Sequence, residues 1–247
     1  MWTLGRLSFH GYGFLIGLGI LVGAGVGARM AGLVKLKAED IWDGLLWMVG
    51  GGVIGARLYH VVDYWQYYMA NPGEILAIWQ GGLGIFGGIL GGVIGLWLYA
   101  KSKSRFLKLL DLAGLGLPIG QAIGRWGNFV NQELYGKPTS LPWGIYIEPE
   151  KRLLEVLTYE KFQPLWLYES LWSLGVFAVL YWLVKKGKVE LGKGRLFVTY
   201  LGLYGLGRFW LEWLRIEAWE IYGVNVAQII SVGLVGWAVW SWKKKDA

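Results

Sequence analysis

The chain has 247 residues, 55% of them hydrophobic and 17% charged, with no cysteine, two histidines and a formal net charge of +7. A soluble domain carries about a quarter charged residues, so this composition, at a mean hydropathy of +0.42, describes an integral membrane protein. It excludes disulfides, thiolate metal sites and a cysteine nucleophile of the protein's own, and no metal or other cofactor is expected.

Apolar segments of spanning length recur at Gly11 to Ala28, Ile41 to Val62, Leu83 to Ala100, Phe106 to Ile123, Pro164 to Val184, Leu196 to Leu214 and Tyr222 to Trp242. Each approaches the roughly 20 residues a bilayer requires. In lipid such segments must be helical, because open strands leave backbone groups unpaired. The expectation is an all-α, polytopic membrane protein of about seven transmembrane helices, one integral domain over residues 1–247. The first segment has a weakly basic leader and no small-x-small cleavage site, so it reads as a retained helix. The third opens on GGLGIFGGILGG, a glycine string suited to a broken or re-entrant start. Seventeen Trp and fourteen Tyr suit the two membrane interfaces, and forty Gly suit close helix approach in lipid. Residues 126–163 hold Pro138, Pro142, Pro149 and a charged run, and read as a small outside cap with a short helix.

With the N-terminus outside and the C-terminus cytoplasmic, fifteen of the twenty-four Lys and Arg fall in cytoplasmic segments, Lys243, Lys244 and Lys245 among them, and six, including Arg6 and Arg215, fall outside. This is the positive-inside bias. The positive charge therefore reports topology, and nucleic acid is not an expected partner.

Three basic residues remain, Arg57, Arg125 and Arg208, each within or at the end of a span and all toward the outer side. Buried ionisable groups in lipid turn inward and mark function. Tyr204, Arg208 and Glu212 are spaced i, i+4, i+8, so they share a face and Glu212 can pair with Arg208. His60 follows Arg57 by three residues, and Tyr12 begins the first span. Glu169 lies about one and a half turns inside the fifth. The densest cluster is GRWGNFVNQELYG, Gly124 to Gly136, which sets Arg125, Asn128, Asn131, Glu133 and Tyr135 directly after an apolar run.

A guanidinium is a planar donor fork that suits phosphate, and the attraction strengthens where water is scarce. Three of them at one depth, with Asn128 and Tyr204 as neutral donors, suit a phospholipid phosphodiester. The competing expectation is that Glu133, Glu169 and Glu212 neutralise the arginines and merely fix helix packing. An anion transporter would need a polar path through both leaflets, and the inner halves of the second, fourth and sixth segments are mostly apolar.

GRWGNFVNQELYG resembles the signature of the prolipoprotein diacylglyceryl transferases, bacterial inner-membrane enzymes, with the pattern G-R-x-G-N-F-x-N-x-E-x-x-G. The resemblance runs the length of the chain, through Tyr12-Gly13, GARLYHV from Gly55, GGLGIFGGILG from Gly81, PLWLYES from Pro164, YGLGRFWLEWLR from Tyr204 and VAQIISV from Val226. It implies transfer of diacylglyceryl from phosphatidylglycerol to the lipobox cysteine of a secreted preprotein, with release of glycerol phosphate. The nucleophile then belongs to the substrate. By the same resemblance Arg125, Arg208, Glu212 and Tyr204 are catalytic, and Arg125, Asn128, Glu133, Gly136 and Tyr12 bind the lipid; Arg57 and His60 join the lipid-binding set by their place toward the outer side of the second span. Membrane lipid, phosphatidylglycerol and lipobox preproteins are the expected partners.

Two positions depart from the family pattern. Its third-helix motif G-G-x-x-x-H-G-G carries a histidine proposed as the base for the thiol, and here that position is Phe86. The family's usual His-Pro before LYE is Gln163 and Pro164. A thiol of pKa near 8.5 is only a few percent thiolate at pH 7, so lacking a base costs roughly 2 kcal/mol, a modest loss beside phosphate stabilisation. His60, Glu212, Tyr204 and water are the remaining candidates for deprotonation. The alternative expectation is a non-catalytic lipid-binding or lipid-transport relative that lost turnover with its histidine.

Overall fold

The computed structural model describes residues 11–244 and the backbone of a short antiparallel hairpin, Trp2–Leu4 (β1) with Leu7–Phe9 (β2). Arg6 and Lys245, counted above, lie outside the described residues. Eight α-helices follow: α1 (Gly11–Met30), α2 (Ala38–Asp63), α3 (Trp65–Ala70), α4 (Ile85–Ala100), α5 (Lys103–Asn131), α6 (Leu165–Lys185), α7 (Arg195–Leu211) and α8 (Val226–Lys243). All seven predicted apolar segments are helical. Four helical stretches, Gly11–Val34, α2, α5 and α6, are both long and apolar enough to cross a bilayer, and α4 is apolar but sixteen residues long. The protein is thus an all-α, polytopic membrane protein.

The helix ends depart from expectation for local reasons. Gly81 and Gly82 have φ of +89° and +69°, a region glycine enters without penalty, so α4 starts only at Ile85 and the glycine string is indeed non-helical at its start. No breaker follows Arg125, and α5 runs on to Asn131 until Gln132 and Leu134 turn left-handed at φ 55° and 56°. Arg125 therefore sits inside the helix rather than closing it. In the cap, two single 3-10 turns at Pro149–Lys151 and Leu154–Val156 stand where a short helix was expected, beside a two-stranded ribbon, Ile145–Tyr146 (β3) with Lys161–Phe162 (β4). Phe162, Ile147, Val156 and Tyr135 form the cap's own small core.

The chain divides into two compact units, Ala28–Leu110 and Met1–Gly27 with Asp111–Ala247. In the first, α2 and α4 lie backbone to backbone. A methyl group on Gly51, Gly55 or Gly95 would collide with the carbonyls of Gly91, Gly87 and Trp47, so the small residues do for this pair what they do generally in lipid. One end of the pair is tied by Arg105, which bonds Asp40 at 2.7 Å and the Tyr99 hydroxyl at 2.9 Å.

In the second unit α5 contacts α1, α6 and α7. Gly23 of α1 meets Gly116 of α5, and the buried Ser170 hydroxyl of α6 donates to the Ala122 carbonyl at 2.9 Å. Trp172 of α6 donates to Leu203 of α7 at 3.0 Å. Asp111, fully buried in α5, accepts the N–H groups of Gly192 and Gly194 at 2.7 and 3.0 Å and of Phe197 at 3.1 Å, at the start of α7.

Candidate active site

The signature stretch forms the last two turns of α5 and the left-handed step that follows. Arg125 and Asn128 are three residues apart and share a face. Gly127 has no side chain, so the Tyr12 ring lies on its backbone; a Cβ there would sit 2.8 Å from Tyr12 Cδ2. The αL residues Gln132 and Leu134 are strained and are held by their surroundings. The Glu133 N–H donates to Asn128 O at 2.9 Å, the Asn128 amide donates to Glu133 Oε1 at 2.9 Å, and the Gln132 side-chain oxygen accepts the Glu148 N–H at 2.8 Å.

Gly136 closes the stretch where three segments meet. Its N–H donates to Gln163 O and the Lys137 N–H to Leu214 O, both at 2.8 Å. A Cβ on Gly136 would stand 2.9 Å from both Gln163 Cβ and Leu214 O. The motif is thereby stitched to the residue before PLWLYES and to the end of YGLGRFWLEWLR. Gln163 accepts the Tyr168 hydroxyl at 2.8 Å.

These ties bring five charged side chains together. Glu169, in the second turn of α6 and 6% exposed, lies between two arginines, with Arg125 Nε 2.6 Å from one oxygen and Arg208 Nη1 3.5 Å from the other. Arg208 uses its second terminal nitrogen on Glu212, 2.7 Å away and 3% exposed. Arg215 Nε stands 4.0 Å from the same Glu212 oxygen. Asn225, which also caps α8, donates to the other Glu212 oxygen at 3.4 Å. Neither Glu169 oxygen has a well-aligned hydrogen bond among the described residues, so charge holds these pairs more than direction does.

Within this group three cations face two anions, and one positive charge is left unbalanced. Burial and the neighbouring Arg208 push Arg215 down from the usual arginine range, against the pull of Glu212. Such a group is short of anions, and a negatively charged ligand relieves it. Tyr204 lies one turn before Arg208 on α7, half-buried, its ring 6.2 Å from that of Tyr200.

Arg57 and His60 belong to the other unit and are engaged with its loop. Arg57, 7% exposed, donates to the carbonyls of Glu74 (2.5 Å), Ile75 (2.8 Å), Gly81 (2.8 Å) and Gly82 (3.0 Å), with its guanidinium over the Tyr68 ring. His60 packs on Tyr64 and Tyr68 with ring centroids 4.5 and 5.9 Å away, and against Gly82. Phe86 is half-exposed, 6.2 Å from the Tyr59 ring.

Sequence reasoning treated Glu169 as a neutraliser of one arginine, and it bridges two. It counted Arg215 among the loop charges because that residue follows the apolar run, although the i+3 spacing from Glu212 was available to place it.

A family model described as prolipoprotein diacylglyceryl transferase matches residues 1–243. The chain is 41% identical over 237 residues to a protein of Fervidobacterium nodosum, covering 95% of this chain and 80% of that one. It is 40% identical to proteins of a Nostoc species (98% of this chain, 88% of that one) and of Synechococcus elongatus (96% and 83%). All three relatives are named phosphatidylglycerol–prolipoprotein diacylglyceryl transferase.

Proposed function

The chain belongs to the prolipoprotein diacylglyceryl transferase family, and we propose on that premise that it moves the diacylglyceryl group of phosphatidylglycerol to the lipobox cysteine of a secreted preprotein. It works in the cytoplasmic membrane of a bacterium, the inner membrane where there are two, with its N-terminus outside, its C-terminus inside and residues 126–163 as an outer cap. The lysine and arginine distribution supports that orientation.

In the proposed reaction the substrate sulfur forms a bond to the glycerol carbon that carries the phosphate. The carbon–oxygen bond breaks, its electron pair stays on the phosphate oxygen, and glycerol phosphate leaves. The thiol proton is lost to water, Glu212 being committed to Arg208 and Arg215. The diester starts with one negative charge and the departing monoester gains a second, so the step is helped most by donors fixed where that charge appears.

Arg125 and Arg208 supply those donors, and Arg215 adds a third guanidinium. Glu169 holds the first two against each other, and Glu212 orients the last two. Asn128 and Tyr204 are neutral donors to the headgroup. Tyr12 packs on Gly127, while Glu133 and Gly136 keep the α5 end in shape. Arg57, with its donors used on backbone carbonyls, holds residues 74–82 within its own unit.

The observation that carries this reading is Glu169 shared between Arg125 and Arg208 beside a third arginine, a preformed cationic seat with one charge to spare. The test is a transfer assay with headgroup-labelled phosphatidylglycerol and a lipobox peptide. Release of labelled glycerol phosphate that depends on the peptide thiol supports the enzyme. Lipid binding without release establishes instead the non-catalytic relative.

A further inference from the structure

Asp111 has no part in the chemistry above, yet it is the most completely buried acid described, and its partners lie at the start of the helix that carries Arg208. Its two oxygens accept three backbone N–H groups, those of Gly192, Gly194 and Phe197. Gly192 and Gly194 present theirs from left-handed backbone, φ 87° and 77°. One turn further along α5, a Cβ on Gly114 would meet Phe197 Cα at 3.1 Å. The two helices are therefore clamped together at this point.

From the clamp both helices run the same way and by matching lengths. Arg125 lies fourteen residues beyond Asp111, and Arg208 fourteen beyond Gly194, roughly 21 Å of helical rise in each case. At the far end both arginines reach one carboxylate, Glu169, at 2.6 and 3.5 Å. α7 has no proline between Arg195 and Arg208 and so transmits axial position along its length, while α5 carries Pro118 between Asp111 and Arg125. If α7 slid along α5 by an ångström, Arg208 would be displaced from the carboxylate it shares with Arg125.

We propose that Asp111 is a positioning residue that sets the axial register of α7 on α5, and so brings Arg125 and Arg208 level around the phosphate. This rests on the functional reading given above. Asp111 never touches substrate; it acts through the placement of Arg208. A carboxylate suits the task because it accepts several backbone donors at a helix start, where the helix dipole also favours negative charge, whereas an amide offers one acceptor oxygen.

The discriminating variant is Asp111→Glu, which keeps the charge and both acceptors but moves them out by one methylene. Asp111→Asn accompanies it, both in full-length protein reconstituted in phosphatidylglycerol nanodiscs with a lipobox peptide. A misplacement of about 1 Å at a reacting centre costs on the order of 100-fold, so kcat should fall about ten- to 100-fold in each while KM stays within about threefold. In an Arg208→Lys background the same substitutions should cost less than about threefold more. Because the chain has no cysteine, spin labels on cysteines placed at the exposed Leu117 and Trp210, offset along the helix axes by roughly 15 Å, report the register. Asp111→Glu should shift their separation by about 1 Å, most of one carbon–carbon step.

An unchanged label distance overturns the proposal whatever the activity. So does a folded Asp111→Glu protein with unaltered kcat, a loss that multiplies fully with that of Arg208→Lys, or failure of both variants to fold, which would make Asp111 purely structural. An inactive parent chain whose label distance does shift would refute the transferase reading and leave the register role standing.

Discussion

Replacing Arg208 by lysine keeps the charge and removes the fork, and the structure says what that does. Arg208 spans two carboxylates with two nitrogens, Nη2 at 2.7 Å from Glu212 and Nη1 at 3.5 Å from Glu169, and its side chain is 20% exposed. Two unit charges about 4 Å apart attract by about 4 kcal/mol at an effective dielectric near 20, but desolvation offsets most of that. A lysine ammonium is one point and can sit against one of the two acids. The net loss is one charge-assisted contact, about 1.5 to 3 kcal/mol, together with the planar match to phosphate oxygens. Arg208→Lys should therefore transfer lipid about ten- to 100-fold more slowly. Alanine leaves both acids short of a cation, a change of about 3 to 5 kcal/mol in a buried pair, and should reduce transfer by about 1,000-fold or abolish it. The measurement is kcat and KM for phosphatidylglycerol in nanodiscs, with thermal unfolding recorded on the same samples to separate misfolding from lost chemistry. If Arg208→Lys turned over at the parent rate, the fork would be irrelevant and the assignment of this cluster to phosphate would be wrong.

Glu169→Gln removes the charge that holds Arg125 and Arg208 together, and should lower kcat by about 10- to 100-fold while leaving the protein able to bind anionic lipid, measured as phosphatidylglycerol retained on the purified protein. Gly136→Ala places a methyl 2.9 Å from Gln163 Cβ and Leu214 O, and overpacking of this kind costs about 1 to 3 kcal/mol. Its signature is a lowered unfolding temperature with transfer reduced in step; unaltered stability would mean that the three segments part freely there. Arg57→Lys forfeits most of four bonds to the carbonyls of residues 74, 75, 81 and 82. Limited proteolysis should then cut between Asn71 and Gly84 faster than in the parent, and resistance equal to the parent's would refute the loop-holding role.

Spans were legible in the sequence because lipid removes the competition. With no water to satisfy a backbone, an apolar run has one conformation open to it, and Leu165–Lys185 or Val226–Lys243 could be read within a few residues. Helix ends were harder, since they depend on single φ angles: nothing in the string NFVNQELYG marks Gln132 and Leu134, rather than a proline or a glycine, as the residues that turn left-handed. The pairing of Arg208 with Glu212 followed from helical spacing. That of Arg125 with Glu169 did not, because it joins positions 44 residues apart and exists only once α5 and α6 have packed. Arg57 shows the opposite limit. An arginine in a span signals a need for partners, but whether backbone carbonyls or a ligand meet that need is a property of the loop, which periodicity does not describe.

Phe86 bears on where the catalytic power of such a site resides. In the proposed reaction two demands compete, removing a proton from sulfur and stabilising charge on a departing phosphate. The first is small: a few percent of the thiol is already ionised at pH 7, and the deficit is roughly 2 kcal/mol. The second is larger, because a monoester dianion is a poor leaving group unless fixed cations meet it, and each preorganised donor contributes about 3 to 4 kcal/mol. The chain keeps the groups that serve the larger demand, Arg125, Arg208 and Arg215 braced on Glu169 and Glu212, and has an aromatic ring, Phe86, where the motif resemblance implies a histidine. A site losing its function would be expected to shed the buried charges first, since they are the costly part to maintain in a membrane. Rate against pH decides the matter: transfer that rises tenfold per unit from pH 6 to 8 and levels near the substrate thiol's own pKa means that the protein supplies no base, whereas a plateau beginning well below that pKa would mean that a side chain of the protein takes the proton.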